Sequence, residues 1–385
     1  MRVGLARSLA PVMLVLVALA GSSAAQEGPQ PPAVPAAAAP AAPSRAEIDA
    51  ALDRATRWLS ARVSAVPLDR LRPREVEAAL FATLTLAQTG ALATDPAGRA
   101  RALALLYGYP LASIHGAAVT VLALERLGGR AHADRIADAV RVLVEGQSLA
   151  EGGWAYQGAR LEAPPPVRAV PSATADPRPA TPSAVIRVER AGEGWEQDRR
   201  DNTNSVFALL ALRSAARSGV VAGADTWKRA LSFFADGQAP DGGWGGHFKD
   251  PASYGGMTCD GVCGLALALE AAGVAAPAAD PRVQRGLEWL AVHFALERNP
   301  FPAGRRGKHD HHFYYLCALE RAGTLLGVPR IGAHDWYAEG ARYLLSTQRE
   351  DGSFFAPEDT AANEMEDTCF AMLFLERASA AWSGR

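Results

Sequence analysis

Three short turns recur along the chain and share one pattern. Each follows a helix-like run, begins at a glutamine, passes through one or two glycines and reaches an aromatic residue six or seven positions later. Glycine just past a helix end takes the left-handed conformation that closes the last turn. A turn repeated at this scale predicts a repeat architecture. The glutamine and aromatic positions are Gln147 and Trp154, Gln238 and Trp244, and Gln348 and Phe354.

Two kinds of helix alternate from Arg45 onward. In the first kind, apolar residues recur every three or four positions, as at Ile48, Leu52 and Leu59, so one face is expected to be buried and the other solvated. The second kind is apolar nearly all round, which predicts burial on every side. Inner helices of this kind are predicted over 79–86, 117–124, 206–212, 262–269, 313–319 and 370–375.

A weaker outer helix over 96–107 completes a set of twelve, in the order outer, inner, repeated six times. Twelve alternating helices with short connections close naturally into two concentric rings. The fold class predicted for residues 45–385 is therefore an all-α (α/α)6 toroid, with parallel inner helices whose N-termini share one rim. Residues 157–200 are dense in Pro, Ala and Arg and interrupt the pattern, so we expect a low-complexity insertion that forms a long surface loop.

The N-terminal segment is typical of an exported protein. Residues 1–25 combine Arg2 and Arg7, an apolar run and a small-residue cleavage site, which predicts a signal peptide cleaved near Ala25. Retention of this segment as a membrane anchor is the alternative. Residues 26–44 form a Pro/Ala-rich linker. The mature chain is expected in the periplasm or outside the cell, without a stable membrane span.

Charge and cysteine content narrow the function classes. The net charge of −2 comes without a basic stripe, which argues against a nucleic-acid partner. Four cysteines in 385 residues are too few for the disulfide framework of an exported chain. Because all four fall in apolar helical runs, we expect them to be buried thiols.

The three turns resemble the QW repeats of squalene and oxidosqualene cyclases and of the related protein prenyltransferase β-subunits. This resemblance covers residues 45–380, and within it the second half of the chain is similar to a group of exported bacterial proteins with prenyltransferase/squalene-oxidase repeats. The resemblance implies a toroid with a central apolar cavity that suits an isoprenoid or another apolar small molecule, and it implies no particular reaction. The stretches that carry the resemblance are 201–210, 257–259, 314–323, 334–337 and 367–375.

The motifs of known terpene chemistry are missing or altered. Class II cyclases protonate an alkene with an acid in Asp-x-Asp-Asp, and the nearest string, 364–367, departs from it. The class I Asp-Asp-x-x-Asp motif is also missing, so squalene cyclisation by the known route is not expected. Whether the chain is an enzyme stays open. For prenyltransferase-like or cyclase-like chemistry the candidate catalytic residues are Asp260 and Asp367.

Zinc is the candidate cofactor. Protein prenyltransferases hold zinc with an Asp, a nearby Cys and a distant His, and Asp260 and Cys263 resemble the first two ligands with one extra residue between them. His311, or His312 beside it, on the neighbouring inner helix is the candidate third ligand. Oxygen, sulfur and nitrogen ligands would leave one open position in a tetrahedron. The alternative is that Thr258 or Asp260 caps the start of its helix.

Polar residues gather at the predicted starts of the inner helices. Helix N-termini favour hydrogen-bond acceptors and anions. These residues either cap their helices or form a polar mouth above an apolar cavity, suited to an amphiphile with a charged or hydroxylated head. A basic run at 305–309 is either a binding site for a diphosphate or a solvated loop. The candidate rim residues are His115, Asn202, Thr203, Asn204, Asp260, Asp310, His311, His312, Glu366 and Asp367.

Three functions are compatible with the sequence. We favour a squalene/terpenoid-cyclase-like repeat protein that binds an isoprenoid or another apolar molecule. The second is a non-catalytic exported scaffold that meets a protein partner. The third is a six-hairpin glycan-active enzyme, since glycosidases need two carboxyl groups roughly 5–10 Å apart.

Overall fold

A computed structural model describes residues 42–66, 73–156, 168–170, 185–190, 200–301, 311–357 and 363–382. Twelve α-helices and two short strands run through these residues, so each predicted helix is present. The predicted signal peptide at 1–25 lies outside the described residues, as does most of the linker. The helices are α1 (Arg45–Ala65), α2 (Pro73–Gln88), α3 (Pro96–Gly108), α4 (Ile114–Arg126), α5 (Ala133–Gly146), α6 (Asn202–Arg217), α7 (Ala224–Asp236), α8 (Gly255–Ala271), α9 (Pro281–Val292), α10 (His312–Leu326), α11 (Trp336–Thr347) and α12 (Glu364–Glu376); the strands are β1 (Ile186–Val188) and β2 (Val220–Ala222).

Burial alternates along the chain as the helices do. In α1, an odd-numbered helix, Ile48, Leu52 and Leu59 are buried while Asp49 on the opposite face is exposed. In α8, an even-numbered helix, every residue from Gly255 to Leu269 is buried. The one-sided apolar pattern of α1 therefore gives a half-buried helix, and the continuous apolar surface of α8 gives a fully buried one, as the sequence predicts.

The contacts between even-numbered helices return to their starting point. Helix α2 packs against α4, α4 against α6, α6 against α8, α8 against α10, α10 against α12, and α12 against α2. Odd-numbered helices pack against this set: α1 contacts α12 and α2, α3 contacts α2 and α4, and α11 contacts α10 and α12. No helix among the described residues is long and apolar enough to span a bilayer.

The glutamine of each repeated turn joins two successive odd-numbered helices. Gln238 follows α7, and its Nε2 donates to the carbonyl of Gly242 in its own turn and to that of Arg282 on α9, both at 2.8 Å. Its Oε1 accepts a hydrogen bond of 2.6 Å from Nη2 of Arg285, also on α9. One side chain thus closes its own turn and binds the next helix.

The other two copies repeat this bonding. Gln147 donates to the carbonyls of Gly152 and Thr226, and accepts from Arg229, so α5 is tied to α7. Gln348 donates to the carbonyls of Gly352 (3.0 Å) and Ala51 (2.9 Å), and accepts from Arg54, so α11 is tied to α1. The glycine is required: Gly152 has φ of 86°, and a Cβ there would lie 2.2 Å from the carbonyl oxygen of Arg229.

The aromatic residue of each turn connects to the following even-numbered helix. The indole Nε1 of Trp244 donates back to the carbonyl of Phe234 at 3.0 Å, while its main-chain N–H donates to the hydroxyl of Thr258 on α8 at 3.2 Å. Trp154 and Phe354 make the same main-chain bond to Ser205 on α6 and Thr368 on α12, at 2.9 and 3.0 Å. Each turn therefore positions an even-numbered helix as well as an odd-numbered one.

The described parts of the predicted insertion pack on the helices. Strand β1 lies within 157–200 and pairs in parallel with β2. Arg190 donates from its guanidinium to the last carbonyls of α5, among them those of Val144 at 2.7 Å and Glu145 at 3.0 Å. The sequence gives no sign of this strand, because its three residues are too few to show an alternating pattern.

We expect Gln348→Ala to lower the free energy of unfolding by about 2 kcal/mol, because it leaves the carbonyl of Ala51 and the guanidinium of Arg54 without their partner. Urea denaturation measures the change. The matched control is Gln284→Ala, since Gln284 makes an exposed bond to Ala278 and its removal should cost less than about 0.5 kcal/mol. Equal losses in the two variants would contradict a special role for the repeated glutamine.

Candidate functional site

Three even-numbered helices place a polar residue four positions before an aromatic one, near the start of the helix. Residues four apart lie on the same face of a helix. Each helix therefore presents a polar group one turn ahead of an aromatic ring. The pairs are Glu77 and Phe81 on α2, Thr203 and Phe207 on α6, and Glu366 and Phe370 on α12.

The aromatic members of these pairs meet one another between the helices. The ring centroid of Phe81 lies 5.0 Å from that of Phe370, 6.0 Å from that of His115 and 6.3 Å from that of Phe207. His115 lies 5.0 Å from Phe207, and Tyr314 lies 5.4 Å from Phe370. We call these five side chains the aromatic floor; they come from α2, α4, α6, α10 and α12. Only His115 and Phe370 among them are partly exposed.

A buried ion pair supports the floor. Oδ1 of Asp260 on α8 accepts a 2.9 Å hydrogen bond from Nη1 of Arg321 on α10, and both side chains are at most 1% exposed. Oδ2 accepts from the hydroxyls of Tyr314 and Thr203, the latter at 3.3 Å. The Arg321 guanidinium also lies 4.9 Å from the ring centroid of Phe207. Asp260 therefore fixes one ring of the floor directly and another through Arg321.

The charge state of Asp260 follows from two opposing effects. Burial raises the pKa of Asp260 to about 6, while the Arg321 charge and the hydrogen bonds from Tyr314 and Thr203 oppose the rise. The carboxyl is thus ionised at neutral pH. Because three donors occupy its two oxygens, we assign Asp260 a positioning role. This differs from the catalytic role that the sequence suggests.

Glu77 is a site residue that the sequence reasoning missed. Its Oε1 accepts from the hydroxyls of Ser113 (2.5 Å) and Tyr109 (3.2 Å), and its Oε2 accepts from the hydroxyl of Tyr156. Three donors hold the carboxylate beside the floor. The four-residue spacing between Glu77 and Phe81, matched by that between Glu366 and Phe370, is the signal that could have identified it.

Two other polar side chains beside the floor, His115 and Glu366, make no hydrogen bond within the described residues. Burial raises the pKa of Glu366, and the nearby Glu77 adds to the rise. Burial lowers the pKa of His115, opposed by Glu77, so the imidazole is neutral at pH 7. Five half-buried residues lie in or beside the floor, and we refer to them as the central mouth: Glu77, His115, Thr203, Glu366 and Phe370.

Two predicted rim residues at the start of α6 make hydrogen bonds that hold the fold together. The amide of Asn202 donates to the carbonyl of Gly245 at 2.8 Å. Asn204 donates through its main-chain N–H and its side-chain amide to the carboxylate of Asp201, at 2.7 and 2.8 Å, which caps the helix. Both amides hold chain segments together and are not part of the central mouth.

Two further rim candidates also have structural partners. His312 is bonded through Nε2 to the carbonyl of Leu296 at 2.7 Å. Asp367, a candidate catalytic residue, accepts a 3.1 Å bond from the main-chain N–H of Ala356. His311 precedes α10 with φ of 44°. Asp310 and the basic run at 305–309 lie outside the described residues.

The proposed zinc ligands are not brought together. Within the described ranges, no group of three or more His, Cys, Asp or Glu side chains is arranged to hold a metal ion. Asp260 is bonded to Arg321, and burial raises the pKa of the Cys263 thiol, which disfavours the thiolate that zinc needs. The capping alternative also fails, because α8 begins at Gly255, ahead of both Thr258 and Asp260.

Removing one partner of the Asp260–Arg321 pair should be costly. Arg321→Met leaves a buried carboxylate uncompensated, and we expect the free energy of unfolding to fall by about 3–5 kcal/mol in urea denaturation. The double variant Arg321→Met with Asp260→Asn should recover about half of that loss or more, because the amide is uncharged and still accepts from Tyr314. Strict additivity of the two single changes would contradict a coupled pair.

Glu320, the neighbour of Arg321, should make stability depend on pH. It is fully buried and accepts hydrogen bonds from Thr324 (2.8 Å) and Ser379 (2.6 Å). Burial raises the pKa of Glu320 to about 7, from 4.5 for an exposed carboxyl. The folded chain therefore holds the proton more tightly than the unfolded one, and stability falls as pH rises from about 4.5 to about 7.

We therefore expect Glu320→Gln to reduce the loss of unfolding free energy between pH 5 and pH 8 by about 2 kcal/mol. Urea denaturation at the two pH values measures this difference. Glu270→Gln, at an exposed position on α8, is the control and should leave the pH dependence unchanged. An unchanged pH dependence in Glu320→Gln would show that this carboxyl is not the responsible group.

No family model matches, and no curated protein matches. Six chains of solved structures match, among them the apo form of the type II terpene cyclase MstE from Scytonema. That match has a TM-score of 0.51 at 14% sequence identity and covers 87% of this chain and 99% of the cyclase. The fold of this chain is therefore similar to that of a type II terpene cyclase.

Proposed function

We propose that the chain is an (α/α)6 toroid of the squalene/terpenoid-cyclase type that binds an isoprenoid or another apolar molecule at the central mouth. The aromatic floor carries the proposal. Its rings come from five even-numbered helices, and His115 and Phe370 remain partly exposed. Exposed aromatic surface within a rim of polar groups is typical of a ligand site.

The contacts between helix starts support a common rim. Thr203 on α6 and Tyr314 on α10 both donate to Asp260 on α8, and all three residues lie in the first two turns of their helices. Neighbouring even-numbered helices that meet at their starts run in the same direction. The cyclic order of helix contacts and the cyclase-like fold support the closed toroid.

The floor also limits how deep the ligand lies. The rings of Phe81 and Phe207 are buried and lie 6.3 Å apart, with Arg321 against Phe207. These side chains occupy the space between the helices at this level. We therefore place the apolar part of the ligand against the exposed faces of Phe370 and His115.

Farnesol, an isoprenoid with a neutral head, is the probe. We expect one molecule to bind per chain in native mass spectrometry, with the affinity measured by calorimetry. Phe370→Ala should weaken binding by about tenfold, because an aromatic contact of about 1.5 kcal/mol is lost. Phe294→Ala is the control, since Phe294 stacks on His334 elsewhere in the structure.

Two results would count against the proposal. Farnesol that fails to bind the wild-type chain would favour the scaffold role instead. An equal loss of affinity in Phe370→Ala and Phe294→Ala would place the ligand away from the central mouth.

A further inference from the structure

We infer that the central mouth selects an apolar ligand with an ammonium head, held by the carboxylates of Glu366 and Glu77 over the rings of His115 and Phe370. The inference rests on the proposed function and adds the chemical class of the head group. Its support comes from the local charge, the free hydrogen-bonding groups and the aromatic surface, in that order.

Two carboxyl groups lie in the described part of the mouth, Glu77 and Glu366, and no ion pair among the described residues involves either of them. Glu77 accepts hydrogen bonds from three hydroxyls, which is the behaviour of an ionised carboxylate. Glu366 stands one turn before Phe370, whose ring centroid lies 5.0 Å from that of Phe81, one turn after Glu77. The buried cation beneath the floor, Arg321, is already paired with Asp260. A cationic ligand head would therefore meet two acids with no competing partner among the described residues.

The free polar groups suit a hydrogen-bond donor. Glu366 and His115 make no hydrogen bond within the described residues, and both side chains are partly exposed, so their polar atoms are open to a ligand. A neutral imidazole offers one acceptor nitrogen, and a carboxylate offers two acceptor oxygens. An ammonium group with three N–H donors can satisfy both residues, and a hydroxyl has one donor only.

The floor adds attraction for a cation. The face of an aromatic ring is negative and attracts ammonium and guanidinium groups within roughly 6 Å of the ring centroid. Phe207 already makes such a contact with Arg321 at 4.9 Å. Phe370, exposed towards the mouth and one turn after Glu366, presents a second ring to the ligand. An anionic head would meet Glu77 and Glu366 and be repelled.

The experiment compares farnesylamine with farnesol, which differ only in the head group, by calorimetry at pH 7.5. The wild-type chain should bind farnesylamine at least about tenfold more tightly than farnesol. Glu366→Gln should remove most of that preference, because it weakens the binding of farnesylamine more than the binding of farnesol. The control is Glu376→Gln, ten residues later on the same helix, where the carboxylate pairs with Arg45 at 3.5 Å; it should keep the full preference.

A neutral analogue makes the test independent of any variant. N-acetylfarnesylamine keeps the chain and the nitrogen but has no charge, so it should bind the wild-type protein no better than farnesol.

The outcomes distinguish a failure of the inference from a failure of the proposed function. Binding of farnesol and farnesylamine with equal affinity overturns the ammonium preference and leaves the apolar site in place. A preference retained in Glu366→Gln, or shared by the acetylated amine, also overturns the inference. If none of the three compounds binds, the proposed function fails together with it.

Discussion

The structure depends on the side-chain amide of a glutamine that recurs in three turns. A glutamine at the end of an odd-numbered helix bonds to its own turn and to the next odd-numbered helix, and an arginine on that helix bonds back to its oxygen. The third copy is the decisive one, because Gln348 reaches Ala51, 297 residues earlier in the chain. Local turns alone would allow the helix pairs to continue as an open stack, whereas this bond joins the last pair to the first.

The closed order of contacts explains how a site arises from residues far apart in sequence. Helices α2, α4, α6, α10 and α12 each contribute one or two side chains to the floor and the central mouth, and none of them forms a site alone. When α12 packs against α2, Phe370 meets Phe81, and Glu366 and Glu77 each lie one turn before one of these rings. Asp260 and Arg321 then fix the opposite side of the floor. The same closed order of helix contacts therefore produces both the fold and the candidate site.

Much of the fold could be predicted from the sequence, because it depends on periodic patterns. The apolar stripe of α1 and the continuous apolar surface of α8 each determine burial locally. The site was harder to predict. Glu77 and its hydroxyl partners, such as Ser113, lie on different elements. The partner of Asp260 is Arg321, 61 residues away, and in the sequence Arg321 resembles any helix-end arginine. Such pairings depend on tertiary packing, which single-sequence patterns do not contain.

The bond between Gln348 and Ala51 has a consequence for synthesis on the ribosome. A chain that emerges from its N-terminus has completed α1 to α10 before α11 and α12 exist, so apolar edges of α1, α2 and α10 stay uncovered until then. Nascent chains with uncovered apolar edges are prone to aggregation and to capture by chaperones. Residues 336–376 therefore complete folding, because α11 and α12 cover the edges formed by α1, α2 and α10.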